Sequence, residues 1–143
     1  MSNLATAIAL ASEGFKNKTD KAGEPYILHC LRVMNNLKCK EDKERMIIAV
    51  LHDVVEDKVC TMEHLINLGF SIRVIQALTL LTHDKSVEYQ QYIKALSYNE
   101  DARQVKLADL KDNSDITRLK GLTQKDFARM EKYHVAYTYL SKI

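Results

Sequence analysis

The sequence is poor in residues that interrupt helices or cross-link chains. It has one proline and four glycines, and its three cysteines are odd in number and form no C-x-x-C pair. We therefore expect no disulfide framework, zinc knuckle or dithiol redox centre. Unpaired cysteines are typical of a reducing compartment, which predicts a cytoplasmic location.

Long apolar runs and a strong excess of one charge are also lacking. The longest apolar run, Met46 to Leu51, is far too short to span a bilayer. Residues 1–11 lack the basic start and the long apolar stretch of a signal peptide. Lys and Arg number 21 against 19 Asp and Glu, so the net charge is only +2. We expect no nucleic-acid partner from this charge balance and no membrane association from the short apolar runs.

What the sequence does contain is helical periodicity. Apolar residues recur at spacings of three and four along nearly the whole chain, and no segment alternates with period two for long enough to form a sheet. A chain of 143 residues is long enough to bury a core of its own. The pattern predicts an all-α protein with one domain over residues 1–143 and seven or eight helices.

Several helix ends carry recognisable signals. Pro25 suits the first turn of a second helix, where its missing N–H has no partner to lose. Thr61 and Ser71 are suitable N-caps for a fourth and a fifth helix. Thr123, with Asp126 three residues later, predicts an acidic capping box for a long last helix. The seventh helix is predicted over residues 99–119, with a candidate break near position 114.

The third helix has the most unusual pattern. It is predicted from about residue 42 to about residue 57, and its middle is apolar on every side, as expected at the centre of a core. Three carboxylates then gather near its C-terminus, where the macrodipole disfavours negative charge. A carboxylate in a buried helix also requires a partner or a metal. A divalent cation held by His52 and Asp53 would satisfy both requirements.

Helical spacing separates the polar groups of this segment. His52 and Glu56 are four residues apart and share one face, while Asp53 and Asp57 share the adjacent face. His52 and Asp53 are nearest the apolar run, which makes them candidate metal ligands. Glu56 and Asp57 lie one turn further out and are a candidate acid–base pair. The competing interpretation is that these polar residues form a solvated helix end. The apolar run directly before them disfavours a solvated position.

Two other helices have polar interruptions. His29 interrupts the apolar pattern of the second helix, and Asp109 interrupts that of the seventh. Lys106 and Asn113 precede and follow Asp109 by three and four residues, so the three form one polar seam. Taken alone, His29 fits a satisfied core histidine, and the seam fits a buried salt bridge or a solvated face.

Together, these positions form a candidate metal set. His29, His52, Asp53 and Asp109 combine two imidazoles with two carboxylates. Such nitrogen and oxygen donors suit Mn, Fe, Co, Ni or Zn and disfavour Cu(I). A divalent ion of this kind lowers the pKa of bound water and polarises a phosphoryl oxygen. Such a donor set also leaves positions open for water and a substrate.

Three motifs, in this order, resemble the HD phosphohydrolase superfamily. They are G-E-P-Y-I-L-H at 23–29, L-H-D-V-V-E-D at 51–57, and V-K-L-A-D at 105–109 followed by Asn113. The resemblance is narrower to the hydrolase domain of the RelA/SpoT alarmone family and its stand-alone small hydrolases. A His-Asp pair alone is a weak signal, but H-D-V-V-E-D joined to G-E-P-Y is specific. The motifs span most of the chain.

This resemblance implies an activity and a metal. The family removes the 3′-pyrophosphate of guanosine tetra- or pentaphosphate (ppGpp or pppGpp) and releases GDP or GTP and pyrophosphate. Glu56 and Asp57 are then expected to position or deprotonate the attacking water. The implied cofactor is Mn²⁺, and the implied ligands are His29, His52, Asp53 and Asp109.

The resemblance also implies a nucleotide-binding side of the site. The family pattern has a basic pair just before the small residue and the glycine, but here Asp20 stands where an arginine is expected and Lys21 takes the second position. Lys16 or Lys18 would compensate from the same loop. The predicted substrate-binding residues are Lys18, Lys21, Tyr26, Lys106 and Asn113.

The departure at Asp20 leaves alternatives open. One is an HD-type phosphatase acting on another nucleotide, such as NADPH or a nucleoside phosphate. Another is a non-catalytic nucleotide-sensing module whose ion is structural, although the intact Glu56–Asp57 pair favours an enzyme. The predicted partner is a small nucleotide, and a homo-oligomer remains an open option.

Overall fold

Eight α-helices make up most of the part of the chain that the computed structural model describes, residues 2–39 and 41–143. No strand element occurs within these residues, so the all-α prediction is confirmed. A short 3-10 helix, Ile116–Arg118, lies between the last two helices. The helices are α1 (Leu4–Gly14), α2 (Tyr26–Asn35), α3 (Lys43–Leu51), α4 (Met62–Asn67), α5 (Ile72–Leu81), α6 (Tyr89–Leu96), α7 (Glu100–Asn113) and α8 (Gln124–Ser141).

The third helix forms the centre of the core. Its last five residues, Ile47 to Leu51, are all buried, and α3 packs against α1, α2, α5 and α7. The apolar side chains on every face of α3 therefore each find a neighbouring helix, as the sequence pattern predicts.

The C-terminal end of α3 differs from the prediction. The helix ends at Leu51, and His52 to Asp57 form a series of turns. The ring Nδ1 of His52 lies 2.6 Å from the carbonyl oxygen of Ala49, so a side chain satisfies one of the carbonyls that a helix end leaves free. The division of these residues into two helical faces therefore does not describe their arrangement.

The predicted caps are present. The side chains of Thr61, Ser71 and Thr123 each accept a hydrogen bond from the backbone N–H three residues later, and Asp126 completes the capping box. Pro25 is the N-cap of α2 and thus precedes the helix by one residue. These hydrogen bonds satisfy N–H groups that a helix start would leave unpaired.

The end of α7 and the packing of α8 shape one side of the molecule. The predicted break is found, because α7 ends at Asn113 and Ser114 is its C-cap. The chain then turns through the 3-10 helix into α8, which packs on α6 and α7. α2, α3 and α7 also pack on one another, so their polar positions face a common space. None of the described helices has the length and apolar character needed to cross a membrane.

Candidate metal centre and adjoining cleft

Four side chains from three parts of the fold converge at one point. His29 comes from α2, His52 and Asp53 from the turns after α3, and Asp109 from α7. One ligand atom of each lies within 4.8 Å of the others. The Nε2 atom of His52 is 2.9 Å from Oδ2 of Asp53 and 3.2 Å from Oδ1 of Asp109. The Nε2 atom of His29 is 3.0 Å from the same Asp109 oxygen.

The other ring nitrogen of each histidine has a partner that fixes the tautomer. Nδ1 of His29 lies 2.6 Å from Oδ2 of Asp112, and Nδ1 of His52 lies 2.6 Å from the Ala49 carbonyl oxygen. A carboxylate and a carbonyl only accept hydrogen bonds, so both Nδ1 atoms must donate. Each Nε2 atom is thus directed toward the cluster, in the arrangement typical of metal-binding histidines.

The chemistry of this cluster fits a cation. The Nε2 atom of His29 is buried and has no hydrogen-bond partner, although a carboxylate oxygen lies nearby. With Nδ1 protonated, a neutral ring presents a lone pair to that oxygen, and the two repel unless a positive charge lies between them. Two imidazoles and two carboxylates suit a borderline divalent ion. The four residues therefore form a group that could hold a metal.

The charges of the cluster are mutually dependent. Burial alone would lower the pKa of the His52 imidazole, but Asp53 and Asp109 outweigh it and raise that pKa well above its usual value. Burial would raise the pKa of Asp109, but Lys106 and His52 hold it well below its usual range. For Asp53, the effect of His52 outweighs burial and lowers the pKa to about 2. Both carboxylates are ionised at neutral pH and attract cations.

The polar seam of α7 surrounds one of these carboxylates. Nζ of Lys106 donates to Oδ2 of Asp109 at 3.0 Å, and Nδ2 of Asn113 donates to Oδ1 at 3.0 Å. The Lys106 ammonium also lies 5.2 Å from the ring centroid of Tyr92. The residues at i−3 and i+4 thus fix the orientation of Asp109 from both sides.

The tyrosine of the G-E-P-Y motif contacts the cluster and the adjoining cleft. The hydroxyl of Tyr26 donates a hydrogen bond to Oδ2 of Asp53. Burial and the neighbouring Asp53 carboxylate raise the pKa of this phenol, so it remains a hydrogen-bond donor at neutral pH. Nζ of Lys18 lies 4.2 Å from the centroid of the Tyr26 ring. Tyr26 therefore connects the cluster to the loop that precedes α2.

Glu56 and Asp57 lie beside the cluster with different partners. Oε1 of Glu56 accepts a hydrogen bond from the backbone N–H of His83 at 2.8 Å. Oδ2 of Asp57 accepts one from Nζ of Lys18 at 2.7 Å. His83 belongs to the loop after α5, which borders the site. Within the described ranges, Asp57 has a cationic partner and Glu56 has none.

A cleft of 550 Å³ opens beside the cluster, next to a smaller cavity of 300 Å³. Tyr26, Glu56, Asp57, Asn113 and Tyr133 line both, so they mark the boundary between the two spaces. All five substrate-binding residues predicted from the sequence line one or both of the spaces. Lys18, Lys21, Arg118 and Arg129 line the larger space, and Lys106 and Lys132 line the smaller one.

Sequence reasoning missed several residues of this site. Asp112 has a signal that could have been used, because it follows Asp109 by three residues and so lies on a neighbouring face of α7. Arg118 and Arg129 have no such signal, since they reach the cleft from segments without a motif. Tyr133 of α8 also lines the cleft, and no motif marks it.

The unexpected Asp20 organises the loop before α2. Its Oδ1 atom accepts hydrogen bonds from the backbone N–H groups of Ala22 and Glu24, at 2.9 and 3.0 Å. Its Oδ2 atom accepts one from Nη1 of Arg118 at 3.1 Å. An arginine at position 20 would provide none of these acceptors. Here the aspartate holds the loop, and a guanidinium reaches the cleft from a different part of the chain.

Comparison with known proteins places this geometry in context. No protein-family model matches the chain. It is 36% identical to an Aquifex aeolicus protein named guanosine-3′,5′-bis(diphosphate) 3′-pyrophosphohydrolase, in an alignment 118 residues long that covers 75% of this chain. The chain spans 16% of the length of that relative.

A solved structure shares the fold. It is that of a metazoan ortholog of SpoT, described as hydrolysing ppGpp and acting in starvation responses. The TM-score is 0.77 at 24% identity, and the match covers 98% of this chain and 85% of that one. The resemblance carried by the three motifs is therefore confirmed, and the chain is similar in sequence and in fold to the RelA/SpoT-type alarmone hydrolases of the HD superfamily.

Proposed function

We propose that this chain is a metal-dependent hydrolase that removes the 3′-pyrophosphate of ppGpp and pppGpp, giving GDP or GTP and pyrophosphate. One observation carries the proposal: two histidines and two carboxylates meet beside a cleft bordered by lysines and arginines. The name of the Aquifex aeolicus relative supports the same reaction. Residues 1–143 would form one hydrolase domain.

The metal ligands in this proposal are His29, His52, Asp53 and Asp109. Mn²⁺ is the proposed ion, as the family resemblance implies. When bound, such an ion supplies Lewis acidity at a phosphoryl oxygen and acidifies water. The chain itself supplies the charge balance, because the ionised carboxylates of Asp53 and Asp109 complement a divalent cation.

Glu56 is the proposed proton acceptor for the attacking water. Its carboxylate lines the cleft beside the cluster, and one oxygen is held by the His83 N–H while the other has no partner among the described residues. Asp57 is partly neutralised by Lys18, so we assign it to positioning the water and the basic loop. The carboxylate oxygen of Glu56 that has no partner can accept a hydrogen bond from a water molecule.

The cations bordering the cleft would bind the phosphates. Lys21 and Lys18 lie in the loop before α2, and Asn113, the last residue of α7, lines the same cleft. Lys106 already donates to Asp109, which offsets part of its charge, and it borders the smaller cavity. The cleft volume of 550 Å³ falls within the range of ligand sites for small molecules.

A turnover assay tests the proposal. Mn²⁺-loaded protein is incubated with ppGpp or pppGpp, and nucleotides and pyrophosphate are quantified by anion-exchange chromatography. We expect Glu56→Gln to lower kcat by roughly 10²–10⁴-fold, as loss of a general base does. The matched control is Glu63→Gln, since Glu63 is exposed on α4 and does not line the cleft.

The alternatives give different results in the same assay. Turnover of NADPH or a nucleoside phosphate, with ppGpp left intact, identifies an HD-type phosphatase of another specificity. Tight ppGpp binding without turnover identifies a sensing module. Either result rejects the proposed reaction.

The location and the oligomeric state belong to the same proposal. Cys30, Cys39 and Cys60 are all free thiols, which supports the predicted cytoplasmic location. A homo-oligomer stays a prediction, and size-exclusion chromatography with light scattering measures it directly.

A further inference from the structure

Asp112 is a buried carboxylate that contacts a proposed metal ligand. Only 5% of its surface is exposed, and its Oδ2 atom lies 2.6 Å from Nδ1 of His29. Arg32 donates to both of its oxygens, through Nε at 2.7 Å and Nη2 at 3.2 Å. Nη2 of Arg118 donates to its backbone carbonyl at 2.7 Å and lies 3.4 Å from Oδ2. No motif of the sequence assigns this residue a role.

The same two arginines also contact Asp20 on the loop before α2. Nη1 of Arg118 is 3.1 Å from Oδ2 of Asp20, and Nη2 of Arg32 is 3.7 Å from it. Each aspartate thus meets both arginines. We call these four residues, Asp20, Arg32, Asp112 and Arg118, the charge ring. It joins the loop carrying Lys18 and Lys21 to the outer side of His29.

The charge ring places a carboxylate where it affects the ligand strength of His29. A carboxylate that accepts the Nδ1 proton fixes the plane of the imidazole and increases the electron density at Nε2. Two guanidinium groups compensate the two carboxylates, so Asp112 remains buried without an uncompensated charge. Removing the Asp112 charge would therefore weaken the metal site without removing a ligand.

We propose that Asp112 is a positioning residue for the metal site, and that Asp20 supports it through Arg32 and Arg118. The proposal rests on the metal site proposed above and not on the identity of the substrate. It also explains the departure from the family pattern at position 20, where the aspartate serves the metal side of the site in addition to the loop.

The test measures binding of Mn²⁺ alone, by electron paramagnetic resonance of the free ion. Asp112→Asn is expected to weaken Mn²⁺ binding by about 10–100-fold, the usual effect of losing an outer partner of a metal-binding histidine. The matched control is Asp101→Asn. Asp101 is on the same helix and also pairs with two arginines, Arg45 at 3.0 Å and Arg73 at 2.8 Å, but it contacts no histidine.

Thermal unfolding separates positioning from stability. Both substitutions are expected to lower the Tm, because each breaks the ion pairs of a carboxylate that is buried (Asp112) or half-buried (Asp101). Only Asp112→Asn is expected to lose affinity for Mn²⁺. If both variants or neither lose affinity, the positioning role is wrong. If Asp112→Asn does not fold, Arg32→Gln removes one partner of Asp112, and unchanged Mn²⁺ affinity in that variant overturns the proposal.

The route from Asp20 is tested by a double-mutant cycle. Asp20→Asn keeps an acceptor for the loop amides but removes the charge, and it should weaken Mn²⁺ binding less than Asp112→Asn does. The double variant should bind no more weakly than Asp112→Asn alone, because residues that act through one path are not additive. Additive losses would overturn the indirect route.

These results are distinguishable from failure of the proposed function. If the wild-type chain binds Mn²⁺ and leaves ppGpp intact, the proposed reaction fails, while the loss of affinity in Asp112→Asn still supports the positioning role. If the wild-type chain binds no Mn²⁺, the metal site and the positioning role are both wrong.

Discussion

The Nε2 atom of His29 distinguishes this residue from an ordinary core histidine. A satisfied core histidine uses both ring nitrogens, but here Nδ1 donates to Asp112 and Nε2 has no hydrogen-bond partner. The environment of Asp112 is equally specific: burial alone would raise its pKa, but hydrogen bonds from His29 and Arg32 lower it to about 2. The carboxylate therefore stays ionised, which keeps the histidine proton on Nδ1.

Lys21 provides a prediction at the residue scale. It lines the larger cleft, and no ion pair involves it in the part of the chain that the structure describes. Lys21→Gln should raise the KM for ppGpp by about tenfold, the value of one charge-assisted hydrogen bond, and leave kcat nearly unchanged. Steady-state kinetics on Mn²⁺-loaded protein measure both constants. Lys125→Gln, at an exposed position of α8 outside the cleft, is the control.

A fall in kcat at constant KM would contradict the binding role of Lys21. Such a result would show that the lysine stabilises the transition state selectively and does not bind the ground state.

At the scale of helices, one arginine joins three helix starts. Arg73 near the start of α5 donates to Asp42, the N-cap of α3, to Glu44 in its first turn, and to Asp101 in the first turn of α7. Hydrogen bonds from Arg73 are the main cause of the lowered pKa of Asp42 and of Asp101. Because α3 is the central helix, this network fixes its N-terminal end relative to α5 and α7.

Arg73→Gln should destabilise the protein in a pH-dependent way. The Arg73 side chain is 38% exposed, so solvent screening weakens its ion pairs. We expect the free energy of unfolding at pH 7 to fall by about 1–2 kcal/mol in this variant. A carboxyl with a lowered pKa in the folded state stabilises above its ordinary pKa, and this stabilisation is lost as the pH falls through the folded value. The difference from wild type should therefore shrink as the pH drops below about 4.

Urea unfolding between neutral pH and pH 3 measures this difference. The exposed Lys125→Gln variant should follow the wild-type curve throughout. A difference that is constant with pH would show that Arg73 acts by packing and not through Asp42 and Asp101.

At the scale of the whole molecule, the candidate metal centre joins distant parts of the chain. Its four residues come from α2, from the turns after α3 and from α7. All four can therefore bind one ion only when these parts are folded together. A ligand that binds only the folded state stabilises it by mass action. We therefore expect metal binding at this candidate site to be coupled to folding.

Removing the metal should lower the stability of the whole protein. At Mn²⁺ concentrations of about one hundred times the Kd, binding contributes about 2.7 kcal/mol to the free energy of unfolding. Differential scanning calorimetry with Mn²⁺ and with EDTA should show a higher Tm for the loaded protein. His52→Ala should lose most of this shift, and an equal shift in that variant would place the ion elsewhere.

Local sequence determined the helices, their caps and the residue types of the site. Thr61, Ser71 and Thr123 cap the predicted helices because a hydroxyl three residues from an N–H needs no distant partner. The polar seam of α7 followed from spacing alone. By contrast, the end of α3 was misplaced by six residues, 51 against about 57, because the ring of His52 takes a helix carbonyl and competes with helical continuation.

The tertiary structure alone decided which groups meet. Asp112 and Arg118 contact the site only because α2, α7 and the loop before α2 come together. These contacts join residues 80 and 98 positions apart, so the spacing of residues along the chain cannot predict them. The substitution at position 20 looked from the sequence like a lost substrate contact. In the fold this aspartate accepts a hydrogen bond from Arg118 and forms an ion pair with Arg32, since ion pairs depend on distance in space and not on distance along the chain.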